Sequence, residues 1–195
     1  MNTSSVSFIV AFERIPTSKD ELQKLLFPCG EEFVSPFDYS VSTELIIERV
    51  FDDISNAEVV TEEKIFEVLD KGYFDGRPDF YADYYQHHKL LKSIDNKYQK
   101  KYKIISNDCY LIRDKFTDWQ NEYQAAIDIF STYCSHLTEV AKNNLWQTKK
   151  FEMRNKKILL FEFGSEEKEE VDEFEEVLKH GKIFSALPHI MVIHD

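Results

Sequence analysis

At 195 residues, with 43% hydrophobic side chains and five glycines and five prolines, the chain suits one packed domain, or one domain with an insertion, and is too apolar for disorder. Thirty-six acids against 24 Lys and Arg leave a formal charge of −12, which disfavours nucleic acid and membrane surfaces as direct partners and favours basic ones. The three scattered cysteines (Cys29, Cys109, Cys134) have no zinc spacing and suit a reducing, cytoplasmic setting; the N-terminus has no basic leader and no apolar run approaches about 18 residues, so neither a signal peptide nor a membrane span is expected.

From the N-terminus, a loosely alternating run rich in Val, Ile and Phe predicts a strand over 6–13, stopped by Pro16-Thr17-Ser18. Ser18 and Glu21 match a capping box ahead of Leu22, Leu25 and Leu26, so a helix follows and ends at Pro28, with Gly30 in the turn. Residues 28–41 read as a loop anchored by Phe33, Phe37 and Tyr39. Ser42 or Thr43 opens a second helix through Leu45, Ile46, Glu48, Val50 and Phe51 to Asn56. Thr61 caps a third over Glu62–Lys71, with Ile65, Phe66, Val68 and Leu69 inward and Gly72 as the expected left-handed stop. Tyr73–Pro78 reads as a turn.

The stretch from Asp79 to Lys150 contains neither Gly nor Pro. Tyr98, Tyr102, Ile105, Cys109, Ile112, Phe116, Trp119, Tyr123, Ala126, Phe130, Tyr133, Leu137 and Val140 recur at alternating steps of four and three, and Phe80, Tyr84, Leu91 and Ile94 continue the stripe upstream. That spacing places them on one face of a helix. A single straight helix would be about 100 Å long, whereas a compact chain of this size has a radius of gyration of roughly 16 Å, so the helix is expected to fold back. Ser106-Asn107-Asp108 is the preferred break and Thr117-Asp118-Trp119-Gln120, a capping box, the second choice; the first gives an antiparallel pair of roughly 27 and 40 residues.

Beyond it, Lys157–Phe163 reads as a buried strand and 166–178 as an acidic helix with Val171, Phe174, Val177 and Leu178 inward, ended by Gly181. Ile183–Phe184 is expected to pair briefly, and His189–His194 forms a last strand. The fold class is therefore α+β and predominantly helical: residues 1–78 and 151–195 form a base with a small sheet from N- and C-terminal strands, and about 79–150 an inserted antiparallel helical hairpin.

The chain shows no P-loop, no Gly-x-Gly-x-x-Gly and no Gly-x-Ser-x-Gly. Asp83 and His87, four apart, could meet His136 and Glu139 across the hairpin and hold a metal, but the order is His-x-x-Glu rather than the Glu-x-x-His of helical di-iron sites, and acids near a helix start are ordinary. Lys97–Lys103 interleaves lysines with Tyr98 and Tyr102, a mixture that can track nucleic acid, yet both tyrosines fall on the apolar stripe. A Cys–His pair is disfavoured because Cys109 and Cys134 lie at core positions of the stripe.

Charge is the strongest compositional signal. Residues 1–78 carry −9, 79–150 +2 and 151–195 −5. Two zones dominate: Asp52, Asp53, Glu62 and Glu63 (with Glu58 and Glu67), and Glu166, Glu167, Glu169, Glu170, Asp172, Glu173 and Glu176. The ordinary reading is two amphipathic helices with solvated outer faces. The functional reading is a non-enzymatic acidic protein, without cofactor, that captures and inhibits a basic partner such as a nuclease or other nucleic-acid-binding protein, in the manner of immunity proteins and antitoxins. The alternatives are a metal-dependent enzyme using the set above and a helical protein that self-associates, as a homodimer or larger, through its aromatic stripe.

Overall fold

A computed structural model describes residues 5–29, 33–34, 40–78, 80–103, 117–164, 173–180 and 182–194; the side chains of 33–34, 40, 80–87, 173, 175–176 and 180 lie outside the description. The chain divides into two compact units, Met1–Gly76 with Lys142–Asp195, and Arg77–Ala141.

The first unit is built on a four-stranded antiparallel sheet that joins the two ends of the chain. Its centre is β1 (Ser5–Phe12), flanked by β5 (Lys157–Phe163) and β6 (His189–His194), with β4 (Tyr73–Phe74) outside β6. Phe8 sits opposite Phe161 on one side and Met191 on the other. Alternation along β1 sends Val6, Phe8, Val10 and Phe12 to one face and Ser7, Ile9 and Ala11 to the other, and all seven are buried. A strand buried on both faces needs a continuous apolar run, which is why this segment alternates only loosely.

Against the first face pack α1 (Lys19–Leu26), α2 (Thr43–Asn56) and α6 (Glu173–His180), through Leu22, Leu26, Ile46, Ile47, Val50, Val177 and Leu178. Phe184 fills the centre, its ring 5.2 Å from that of Phe8 and 5.0 Å from that of Phe161. α3 (Glu62–Lys71) is not part of that cluster; it packs against β6 and buries Ile65, Val68 and Leu69. The caps read at Ser18 and Thr61 are made, and of Ser42 and Thr43 it is Ser42 that caps the second helix: Ser18, Ser42 and Thr61 accept from the backbone N–H of Glu21, Glu44 and Lys64. The Glu21 carboxylate takes the Thr17 N–H at 2.9 Å, one residue earlier than a capping box requires.

Several local expectations need correction. The loop over 28–41 contains a two-residue pairing, β2 (Phe33–Val34) with β3 (Ser40–Val41); Phe37 and Tyr39 lie outside the described residues. Gly72 is extended (φ −147°, ψ −175°), not left-handed. It is needed for space, because a Cβ there would stand 2.5 Å from the Ile193 carbonyl oxygen and 2.6 Å from Val192 Cγ1. The segment read wholly as a turn begins with β4, whose partners Ile193 and Val192 are remote in sequence; the turn proper comes at Gly76, φ +84°. Ile183 and Phe184 are fully buried in a turn and pair with no strand among the described residues. The acidic helix is described only over Glu173–His180.

The second unit is the antiparallel helical hairpin. It pairs α4 (Phe80–Tyr102) with the first part of α5 (Thr117–Glu152), whose last turns, from Lys142, belong to the first unit. Contacts run in opposite directions along the two helices: Lys101 with Asp118, Lys97 with Glu122. Leu91, Ile94, Tyr98, Trp119 and Ala126 form the core, with Tyr102, Tyr123 and Ile127 at its margin. α4 closes at Lys103, whose φ of +55° is left-handed; the preferred break at Ser106-Asn107-Asp108 lies outside the described residues.

The stripe on α5 does not stay inward. Tyr133 is 52% and Val140 43% exposed, whereas Trp119 and Ala126 are buried. A straight helix turns about 20° per heptad relative to a strict seven-residue repeat. Counted from Trp119, Tyr133 has therefore drifted by about 40° and Val140 by about 60°, far enough to leave the seam.

Candidate functional site

The acidic residues singled out from the sequence have different fates. Asp53 is bound by Arg49 one turn earlier, at 3.2 Å. Glu62 is fully engaged: one carboxylate oxygen accepts from the Trp146 indole N–H at 2.7 Å and the other from Lys150 Nζ at 2.8 Å. These two bonds, Lys150 first, hold its carboxyl below the usual range. Glu67 is held between Lys64 and Lys71 and is depressed in the same way. Asp52 and Glu63 are exposed like Glu62 and Glu67, but no hydrogen bond or ion pair occupies either carboxylate among the described residues. Glu166, Glu167, Glu169, Glu170 and Asp172 lie outside the described residues; Glu173 and Glu176 lie on α6, with their side chains outside the description.

The Glu62 contacts belong to a larger row. Lys142, Trp146 and Lys150, four apart on α5, face Asp70, Phe66 and Glu62 on α3. Lys142 is buried, bonded to Asp70 and seated 5.5 Å from the Phe66 ring centre. The Trp146 ring meets Phe66 edge-on at 6.4 Å. Beside them a cleft of about 600 Å³ is lined by Glu62, Trp146, Lys150, Phe151 and Arg154 among others. Sequence reasoning missed this row. Its only local signal is the Lys-x-x-x-Trp-x-x-x-Lys spacing, which by itself reads as an amphipathic edge.

Charge is divided unequally between the units. The first holds 27 acids and 15 bases, net −12; the second holds nine of each, net zero. Among the described residues of the first unit nine basic side chains are spent in ion pairs with its own acids: Arg14, Lys19, Arg49, Lys64, Lys71, Lys142, Lys149, Lys150 and Lys156. Asp20, Glu44, Glu58, Glu63 and Asp75 remain exposed and take part in no ion pair among the described residues. Lys24, Arg154, Lys157 and Lys182 are likewise exposed and in no ion pair among the described residues, so the pairing leaves both signs over, carboxylates in the greater number.

In the hairpin, Lys97 and Lys101 are tied to Glu122 and Asp118, and Trp119 donates to Asp95 at 2.8 Å. Tyr98 is buried, which together with its hydrogen bond to Glu122 pushes its hydroxyl up to about 12. Lysines bonded in this way are less available to a phosphate backbone. His136 and Glu139 are exposed on α5, while the side chains of Asp83 and His87 lie outside the description; among the described residues no group of three or more His, Cys, Asp and Glu is placed to hold a metal. Cys29 is exposed, Cys134 half-buried, and Cys109 outside the described residues. No described helix is long and apolar enough to cross a membrane.

Compared with protein-family models, curated proteins and solved structures, the chain matches none.

Proposed function

We propose that the protein is a small cytoplasmic, non-enzymatic binding protein that captures a basic protein, such as a nuclease, and blocks its cationic site. The observation that supports this reading is the surplus in the first unit: its described cations are largely spent on internal pairs, and exposed carboxylates remain. Such a field speeds encounter with a positive surface and seats it by charge complementarity. Asp52, Glu63 and the acidic run from Glu166 to Glu176 are the contact residues. Glu62 and Asp53 contribute by fixing helices rather than by meeting the partner, since their oxygens already serve Trp146, Lys150 and Arg49.

The test is titration calorimetry against basic nucleases and a Lys/Arg-rich helical peptide at low and moderate salt. Binding should weaken steeply as salt rises, because interactions beyond about 10 Å are screened near 0.1 M. Asp52→Lys with Glu63→Lys, and separately neutralisation of Glu166, Glu167, Glu169 and Glu170 to Gln, should each slow association severalfold. Equal affinity in the wild-type and both variants, or no affinity for any of these basic probes at low salt, would sink the proposal.

A further inference from the structure

The cleft of about 600 Å³ beside Trp146 differs in kind from the acidic surface around it. Its lining is largely apolar: Ile65 of α3, Trp146 on α5, Met153 just beyond that helix and Ile158 of β5. Phe151 lines it too and is 80% exposed, the most exposed large apolar side chain among the described residues. A single exposed aromatic needs no explanation, but one that lines an apolar cleft offers its ring to a ligand.

The charged groups of the cleft are not equivalent. Glu62 and Lys150 bind each other, and Lys156 lies 3.4 Å from Glu13, so none of the three is left over. Arg154 is exposed and forms no ion pair or side-chain hydrogen bond among the described residues, and the side-chain amides of Gln147 and Asn155 are without partners in the same sense. The unsatisfied charge of the cleft is therefore one guanidinium, with two neutral amides beside it. The backbone that carries it is fixed: Met153, Arg154 and Lys156 donate to the carbonyls of Lys149, Phe151 and Met153 at 2.9, 3.4 and 3.2 Å, and Asn155, at φ +62°, turns the chain towards β5.

A free guanidinium takes a carboxylate through two parallel hydrogen bonds. An apolar concavity of a few hundred Å³ with a few polar groups has the form of a small-molecule site. The unit around it carries −12, so nucleic acid or an acidic protein would be repelled as a whole. A small monoanion instead meets chiefly the charges within about 10 Å at 0.1 M salt, where Glu62 is offset by Lys150 and Arg154 is uncompensated. We infer that this cleft binds a small apolar carboxylate, an aryl or medium-chain acid, with its carboxylate on Arg154 and its apolar body against Trp146 and Phe151. The site uses none of Asp52, Glu63 or the acidic run, so it stands or falls apart from the capture reading.

Titration calorimetry of the full chain with 4-phenylbutyrate, octanoate and indole-3-acetate should find at least one of them bound one to one. Replacing the bound acid by its alcohol, or by acetate, should weaken binding at least about tenfold, since each removes one half of the recognition. Arg154→Gln should weaken it to the same degree and Phe151→Ala severalfold; both positions are exposed, so the fold should survive either change. Lys182→Gln, at an equally unpaired cation of the same unit, should leave the affinity unchanged. Binding of none of the three acids at millimolar concentration overturns the inference. So does an affinity that Arg154→Gln leaves intact, or an alcohol that binds as tightly as its acid.

Discussion

Trp146 shows how much one side chain settles here. It is buried, donates its indole N–H to Glu62 and meets Phe66 edge-on, so it links α5 to α3 by an apolar and a polar contact together. Trp146→Ala should cost about 3–5 kcal/mol, the range for deleting a buried aromatic, measured by urea unfolding. Trp146→Phe keeps most of the ring and frees a Glu62 oxygen that water can serve, since that side chain is half exposed, so it should cost much less than Trp146→Ala. If the two variants unfold at the same urea concentration, the hydrogen bond rather than the packing is dominant. At Gly72 the constraint is steric: a methyl group would press on the backbone oxygen of Ile193, which cannot swing aside. Gly72→Ala should therefore destabilise by about 1–3 kcal/mol, as overpacking does. The usual gain from replacing an extended glycine should be absent.

Among the elements, the hairpin has a core small enough for its polar contacts to matter. Asp118 and Glu122 are held below the usual carboxylate range, each chiefly by the lysine it bonds, Lys101 and Lys97. A carboxylate depressed in the folded state contributes stability that is present above its unfolded value, near 3.8 for Asp and 4.5 for Glu, and is lost as pH falls through the folded one. Tyr98 works in the other direction. Its hydroxyl moves from 10.0 to about 12 on folding, so its contribution is complete below pH 10 and is lost as pH rises towards 12. Helical circular dichroism should thus fall off at both ends of the scale, and Tyr98→Phe should diminish the alkaline limb, the rest of which comes from Lys101, likewise raised by its bond to Asp118, while sparing the acid one. An unchanged alkaline limb would mean that Tyr98 does not titrate with folding. The drift of the α5 stripe belongs to this scale too. Step counting identified the helix, but a strict seven-residue repeat does not keep one face inward over three heptads of straight helix.

For the whole molecule, the question is whether self-repulsion at −12 outweighs the surface ion pairs. Exposed pairs such as Lys19–Glu48 and Lys71–Glu67 contribute little each, being screened by water, while repulsion acts among all the surplus carboxylates of the first unit at once. Moderate salt should therefore raise the melting temperature of the first unit; a fall on adding salt would show that the pairs dominate. Much of the architecture was legible beforehand. The α+β class, the terminal strands that meet in one sheet, the hairpin and the caps at Ser18 and Thr61 all follow from periodicity and local hydrogen bonding, which neighbouring residues carry between them. The candidate site was legible only as an excess of acids. Glu62 and Glu63 are adjacent and chemically alike, yet one is bonded to Trp146, 84 residues away, and the other forms no hydrogen bond or ion pair among the described residues. By itself the sequence determined which segments are helix or strand and that negative charge is in surplus. Only the tertiary structure decided that Tyr73–Phe74 adds a strand to β6, that Gly72 is required for space, and that Glu62 is bonded while Glu63 is not, because each depends on a neighbour brought in from far along the chain, where no local pattern records it.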